Sequence, residues 1–419
     1  MKTAFCLLAF YCLGMPVSAV SQEKNNPWLK QLLYDHASPL LKKVLDHPDS
    51  FHYQIIYTQI NRNSRNIPSF QQYYLHVDRN QYYNPASTVK LPVALTALEK
   101  LHAYRKYGIG KFTTMLTDSS YSGQTSVTAD SSAENNLPSV AHYVKKIFLV
   151  SDNDAYNRLY EFNGQQYLNE TLWKKGYRDV RIVRRFVPMS EEENRHTNSI
   201  RFMQKDSLLY SIPPAASTLA FDYSRPIFVG NAHWNSHDSL VHTPMDFTRH
   251  NQFSLEDLQY MLQSVIFPAS VPKARRFDLS PDDRTFLLQY MSELPSESRY
   301  PHYDSSEFFD SYAKFFLYKS GRQKPPPYIR IFNKPGWSYG YLTDAAYIVD
   351  FEHNIEFMIS ANIYVNRDGV LNDNKYEYDE TGYPFFKEIG EIIYQYELQR
   401  QRKYQPDLGE FRMNYGNRQ

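Results

Sequence analysis

Asn84-Pro85-Ala86-Ser87-Thr88-Val89-Lys90 runs straight into Leu91-Pro92-Val93-Ala94-Leu95-Thr96-Ala97-Leu98, and this stretch decides how the chain is read. The apolar run predicts a helix that carries Ser87 and Lys90 at its head. A serine three residues before a lysine on one helix puts both side chains on the same face. A serine hydroxyl is a weak nucleophile until a base stands close, and a lysine with a depressed pKa is such a base. Alone, the pattern more often marks a capped helix with a solvated lysine.

Two further short motifs follow in order, Ser151-Asp152-Asn153 and Lys334-Pro335-Gly336. Each by itself is an ordinary turn or helix cap. Their order after S-x-x-K matches the ordered set S-x-x-K, S-D-N and K-T-G. On these residues the chain resembles the class A β-lactamases and penicillin-binding proteins, with two motifs matched in full and the third in two of three residues. Gly340-Tyr341-Leu342-Thr343-Asp344-Ala345-Ala346 resembles the family's strand beyond the third motif, and the likeness spans about residues 30–400.

The resemblance implies an α+β fold, with an antiparallel sheet from both chain ends packed against a helical subdomain and a site in the crevice between them. It implies an exported serine hydrolase. Ser87 attacks an amide carbonyl and forms an acyl-enzyme, while Lys90 and Ser151 move protons. Asn153 orients the substrate amide, and Lys334 attracts a substrate carboxylate and polarises Ser151. Gly336 leaves room for substrate beside the strand. The N–H groups of Ser87 and Ser338 hold the oxyanion. The implied substrate is a small-molecule amide, by resemblance a β-lactam. A DD-peptidase-like enzyme acting on cell-wall peptide, another amide or ester hydrolase, and a ligand-binding relative without turnover stand as alternatives. No cofactor and no metal are expected, and the protein is expected to be a monomer.

Two departures bear on mechanism. Pro335 replaces the hydroxyl residue usual in the third motif, which removes a donor for a carboxylate and also a backbone N–H. Ser338 or Thr343 is a candidate to supply the hydroxyl instead. In Arg185-Phe186-Val187-Pro188, valine stands where the family's R-x-E-P pattern has the glutamate that activates the deacylating water. Glu191, Glu192 and Glu193 follow closely, as substitutes for that base or as a solvated acidic run.

Composition bounds the rest. The formal net charge of +1 leaves no basic stripe for a nucleic acid. Lys2, the apolar stretch Ala4–Leu13 and Val17-Ser18-Ala19 read as a secretory signal over residues 1–19, too short for a membrane span. The expected location is the periplasm or outside the cell. Both cysteines, Cys6 and Cys12, fall in that segment, so no disulfide is expected in a single catalytic domain over residues 20–419. Tyrosine is frequent, at 36 residues, which suits grooves for polar ligands as well as a habit of composition.

The sheet is expected from about residues 45–85 and 328–400. Phe51–Ile60 and Gln72–Val77 form a hairpin, and Tyr328–Asn333, Ala345–Asp350 and Ile355–Tyr364 are strand-like. Phe385–Leu398 reads as a closing amphipathic helix. Residues 86–320 read as mostly helical, with insertions near 205–250 and 295–328. Val140, Val144, Ile147 and Phe148 recur at helical spacing, so their helix ends just before Ser151. Ser254 and Ser280-Pro281 open further helices over Leu255–Val265 and Asp282–Leu294. His233, His237, Asp238 and His242 lie close together. A zinc site needs them on one helix face, and Trp234-Asn235-Ser236 is poor helix sequence, so a polar loop is expected there.

Overall fold

Ile55 and Tyr57 belong to one hydrophobic core and Ile56 to another, because successive strand residues face opposite sides. The same alternation divides Tyr347 and Val349 from Ala346 and Ile348. A sheet buried on both faces reads as a continuous apolar run, and Tyr341–Asp350 and Ile355–Tyr364 are buried at every position. The computed structural model describes residues 24–415. The signal-like segment, with Cys6 and Cys12, lies outside the described residues.

The main sheet is antiparallel, in the order Ile329–Asn333, Tyr341–Asp350, Ile355–Tyr364, Gln54–Arg62, Pro68–Leu75, with Gly336–Ser338 also paired to Tyr341–Asp350. Both chain ends therefore share one sheet, as expected. One face is covered by the closing helix Tyr383–Gln399 and by two helices near the start, Pro27–His36 and Pro39–Asp46. The other meets the helices Lys90–Leu101, Val140–Val150, Asn153–Asn163, Leu255–Ile266 and Pro281–Ser292. The last two start on Ser254 and Ser280, whose hydroxyls accept from the N–H groups of Asp257 and Asp283. The arrangement is the expected α+β one.

The middle of the chain is less helical than its sequence suggests. Ile200–Gln204 pairs with Thr114–Thr117 and with Ser207–Ile212 in a separate small sheet. Lys205 turns this hairpin with φ +53°. Ala232–Trp234 pairs with Leu240–Val241 and, in parallel, with Val370–Leu371. The segment 200–246 is thus a set of short hairpins laid on the domain, and the mostly helical reading fails there. Its strands are two to six residues long between turns, too short to set up either a 3.6 or a two-residue period. His233 and His242 sit on and beyond these short strands, not on a helix face. Among the described residues no three His, Cys, Asp or Glu side chains converge as a metal site needs, and no helix is long and apolar enough to cross a membrane.

Candidate active site

Ser87 lies in a turn of 3₁₀ helix, Ala86–Val89, that feeds directly into the helix Lys90–Leu101. Ala86, just before it, has φ +43°, a conformation that costs a non-glycine residue about 1–2 kcal/mol. The neighbours hold it there. Ala86 N–H donates to Asn84 Oδ1 at 3.0 Å, Asn84 Nδ2 donates to Ser338 Oγ at 3.1 Å, and Thr88 Oγ1 donates to Pro85 O at 2.6 Å. Strain held in place by surrounding bonds is common at functional sites.

The Ser-Asp-Asn turn is built from two helix ends. Ser151 closes Val140–Val150 in the left-handed conformation, φ +61°. Asp152 caps the next helix by accepting from Ala155 N–H at 2.8 Å, and Asn153 is that helix's first residue. The helix Val140–Val150 ends where the periodicity predicted.

Lys334 and Pro335 fall between the edge-strand segments Ile329–Asn333 and Gly336–Ser338, both paired to Tyr341–Asp350. Lys334 N–H donates to Ala345 O at 3.3 Å, so the next position faces away from the ladder and tolerates proline. Gly336 answers a space requirement. A Cβ there would sit 2.7 Å from both Ser87 N and Thr88 N and 2.8 Å from Pro85 O. Gly336→Ala must push the strand off the Ser87 turn. It should slow acylation and cost about 1–3 kcal/mol of stability. Thermal denaturation and adduct formation both left at wild-type values would refute that reading of the contact.

The three motifs meet through Ser151. Lys90 Nζ donates to Ser151 O, to Ser151 Oγ at 3.2 Å and to Asn153 Oδ1 at 2.7 Å. Lys334 Nζ donates to the same Ser151 Oγ at 2.9 Å and to Pro335 O at 2.6 Å. The side chains of Lys90 and Lys334 are 0% and 1% exposed. Burial, with Lys334 as a neighbouring cation, pushes the Lys90 amine well below the usual lysine range. Burial also lowers Lys334 to about 7, against the attraction of Asp344. No hydrogen bond joins the Lys90 amine to Ser87; its contacts go to Ser151 and Asn153. Ser87 and Asn153 do line one cleft of about 410 Å³, together with Ser338. Thr343, the other candidate hydroxyl, is fully buried outside it.

Behind the edge strand lies a network that the motifs did not announce. Asn333 Nδ2 donates to both carboxylate oxygens of Asp344, at 3.0 and 2.8 Å, and its Oδ1 accepts from Lys314 Nζ at 2.9 Å. Burial lifts Asp344 to about 7 and brings Lys314 down to about 7. These groups set the field under Lys334.

The loop after the second motif is pinned by Arg185. Its buried guanidinium donates to Glu161 Oε1 and to the carbonyls of Glu193 and His196. Phe186 N–H donates to Asn157 Oδ1 at 2.8 Å, and the Phe186 ring lies 5.2 Å from Lys90 Nζ. Val187 lines the cleft. The three glutamates are engaged elsewhere. Glu191 pairs with Arg249 at 2.8 Å and Glu192 with His196 at 2.9 Å, and Glu193 closes a capping box with Ser190. None of the three lines the cleft, and among the described residues no carboxylate does. Arg184, His250, Trp337 and Tyr339 line it instead, and none of them was singled out by the sequence. A larger groove of about 750 Å³, between the first helices and the closing helix, contains none of the motif residues.

A family model described as the beta-lactamase enzyme family matches residues 52–396. No curated protein matches the chain. Among solved structures, the chain is similar to a beta-lactamase from Sphaerobacter thermophilus DSM 20745 at 12% identity and TM-score 0.45, covering 88% of this chain and 96% of that one. It is similar to PBP-A at 14% identity and TM-score 0.46, covering 90% and 98%. A beta lactamase from Xanthomonas campestris pv. campestris str. ATCC 33913 shows 13% identity and TM-score 0.45, covering 87% and 97%. The family rests on the model match, which spans most of the chain.

Proposed function

From a chain that belongs to the beta-lactamase enzyme family, we propose a serine acyl-transfer enzyme that forms an ester on Ser87 with an amide substrate, by resemblance a β-lactam. One observation carries the reading: a single hydroxyl, Ser151 Oγ, accepts from the amines of both Lys90 and Lys334 beside the cleft that Ser87 lines.

Acylation follows from that arrangement. A neutral Lys90 takes up the Ser87 proton as Oγ attacks the carbonyl, directly after its amine turns or through Ser151. Ser151 then passes a proton to the leaving nitrogen and draws on Lys90 to replace it. Lys334 supplies positive charge behind Ser151, and Asn153 stands at the cleft edge to meet a substrate amide. Backbone N–H groups at Ser87 and at the strand beginning with Gly336 receive the oxyanion. Intact-mass analysis after exposure to benzylpenicillin tests the reading, because an adduct on Ser87 is its direct product.

A second reading, a penicillin-binding peptidase of the same fold, is favoured by Val187 in the cleft and by glutamates that pair elsewhere and do not line it. The adduct's lifetime divides the two. Rapid loss marks a hydrolase, and persistence marks a peptidase that the β-lactam traps.

The two lysines predict a pH profile. Lys90 acts as a base only when neutral, so acylation falls as acid protonates it. Lys334 acts as a cation only when protonated, and its proton leaves as pH rises through about 7. The second-order rate of adduct formation by benzylpenicillin should therefore trace a bell with its alkaline limb near pH 7. The first-order rate at saturation should show that limb at higher pH, since a bound anion holds the Lys334 proton. A second-order rate that stays level from pH 6 to 9 would remove Lys334 from the step.

A further inference from the structure

Lys334 is buried behind Ser151, yet the cleft surface carries a different cation. Arg184 lines the cleft beside Val187. Its guanidinium has no carboxylate partner among the described residues. Its contact is His250, with Nη1 to Nε2 at 3.2 Å. An arginine N–H only donates, so His250 Nε2 accepts and the ring proton sits on Nδ1. Burial and the Arg184 cation hold this imidazole neutral, at about 4. The ring is packed against Phe247 at 4.6 Å, and His250 O accepts from Arg181 Nε at 3.3 Å. Arg181 spends its remaining donors on the carbonyls of Asp222 and Thr248. The nearby carboxylate of Asp246 is capped by Thr248 N–H at 2.8 Å, and Glu191 is paired with Arg249. The guanidinium of Arg184 is therefore fixed by a neutral ring and faces the cleft with its charge uncompensated.

The direction of the substrate follows from the acyl-transfer reading, on which this inference rests. Ser151 and Lys334 receive the leaving nitrogen, so that end of the substrate points towards them. The acyl end must then run along the wall of Arg184, Phe186, Val187 and His250. We propose that Arg184, positioned by His250, is an anion-binding subsite for the acyl portion of the substrate, so that the enzyme selects acyl donors carrying a carboxylate or similar acidic group there. A guanidinium binds such a group through charge-assisted hydrogen bonds, in a wall with no competing carboxylate.

Carbenicillin and benzylpenicillin differ by one carboxylate on the acyl side and so isolate the subsite. The wild-type protein should form its adduct with carbenicillin about tenfold or more faster than with benzylpenicillin, the scale of one charge-assisted contact. Arg184→Gln should bring that ratio close to one and change the benzylpenicillin rate by no more than about threefold. Arg184→Lys should retain part of the preference. A ratio left intact by Arg184→Gln overturns the proposal. A second measurement does not depend on acylation: calorimetric titration of glutarate into the Ser87→Ala protein should show binding that Arg184→Gln weakens at least tenfold. If neither penicillin forms an adduct while glutarate binding depends on Arg184, the subsite stands and the β-lactam reading falls. If adducts form with no Arg184-dependent preference and glutarate does not bind, the subsite falls and the acyl-enzyme stands.

Discussion

Ser87→Ala is expected to abolish covalent labelling by any penicillin and to leave the protein folded. The chemical half follows from position. Ser87 lines the cleft beside Asn153, at the head of the helix that carries Lys90. The structural half follows from its bonds. No described side-chain partner holds the Ser87 hydroxyl, whereas its neighbours Asn84 and Thr88 are both engaged. Removing a half-buried hydroxyl that satisfies no partner should change stability by less than about 1 kcal/mol. Intact mass should show unmodified protein after a penicillin exposure that converts the wild type completely, with thermal unfolding unchanged. An adduct on the alanine variant at the wild-type rate would mean that another residue is the nucleophile. Loss of both labelling and folding would mean that Ser87 serves the turn rather than the chemistry.

Much of this site was legible because its motifs are local structures. The turn at Ser151 follows from the periodicity of Val140, Val144, Ile147 and Phe148, which runs out where the helix does. The strands were legible from their apolar content, since a sheet covered on both faces needs it throughout. Two helices went unread although their signals are present. Asn26 and Ser38 each precede a proline, and each side chain accepts from an N–H three residues on. The hairpins in 200–246 went unread because short strands between turns give little periodicity.

Other parts were not legible in principle. Arg184 and His250 are 66 positions apart and meet only through tertiary packing, which leaves no spacing to recognise. The Lys314–Asn333–Asp344 network gave half a signal. An aspartate within the strand Tyr341–Asp350 must find a partner if buried, but nothing in the sequence says which one.

That no carboxylate among the described residues lines the cleft sets the second large effect. An acyl-serine is hydrolysed only if water is activated beside it. Val187 lines the cleft, at the position the sequence resemblance matches to the family's glutamate, and Glu191, Glu192 and Glu193 are tied to Arg249, His196 and Ser190. His250 lines the cleft, but its Nε2 already accepts from Arg184 and its basicity is low. Without a general base, deacylation should be slower by about 10²–10⁴-fold than in an enzyme that has one. Hydrolysis of benzylpenicillin should therefore show a burst equal to the enzyme present, followed by a slow steady rate. Val187→Glu should accelerate the slow phase and leave the burst unchanged, because acylation uses Lys90 and Ser151. The neighbouring Arg184 tempers the gain. A cation beside the new carboxylate keeps it ionised but weakens it as a base. The double variant Val187→Glu with Arg184→Gln should consequently deacylate faster than Val187→Glu alone. Fast wild-type turnover without a burst would show that a base is already in place. If that turnover also survives replacement of all three glutamates, the water must be activated from the Lys90 side, where the amine set free by acylation is the remaining basic group.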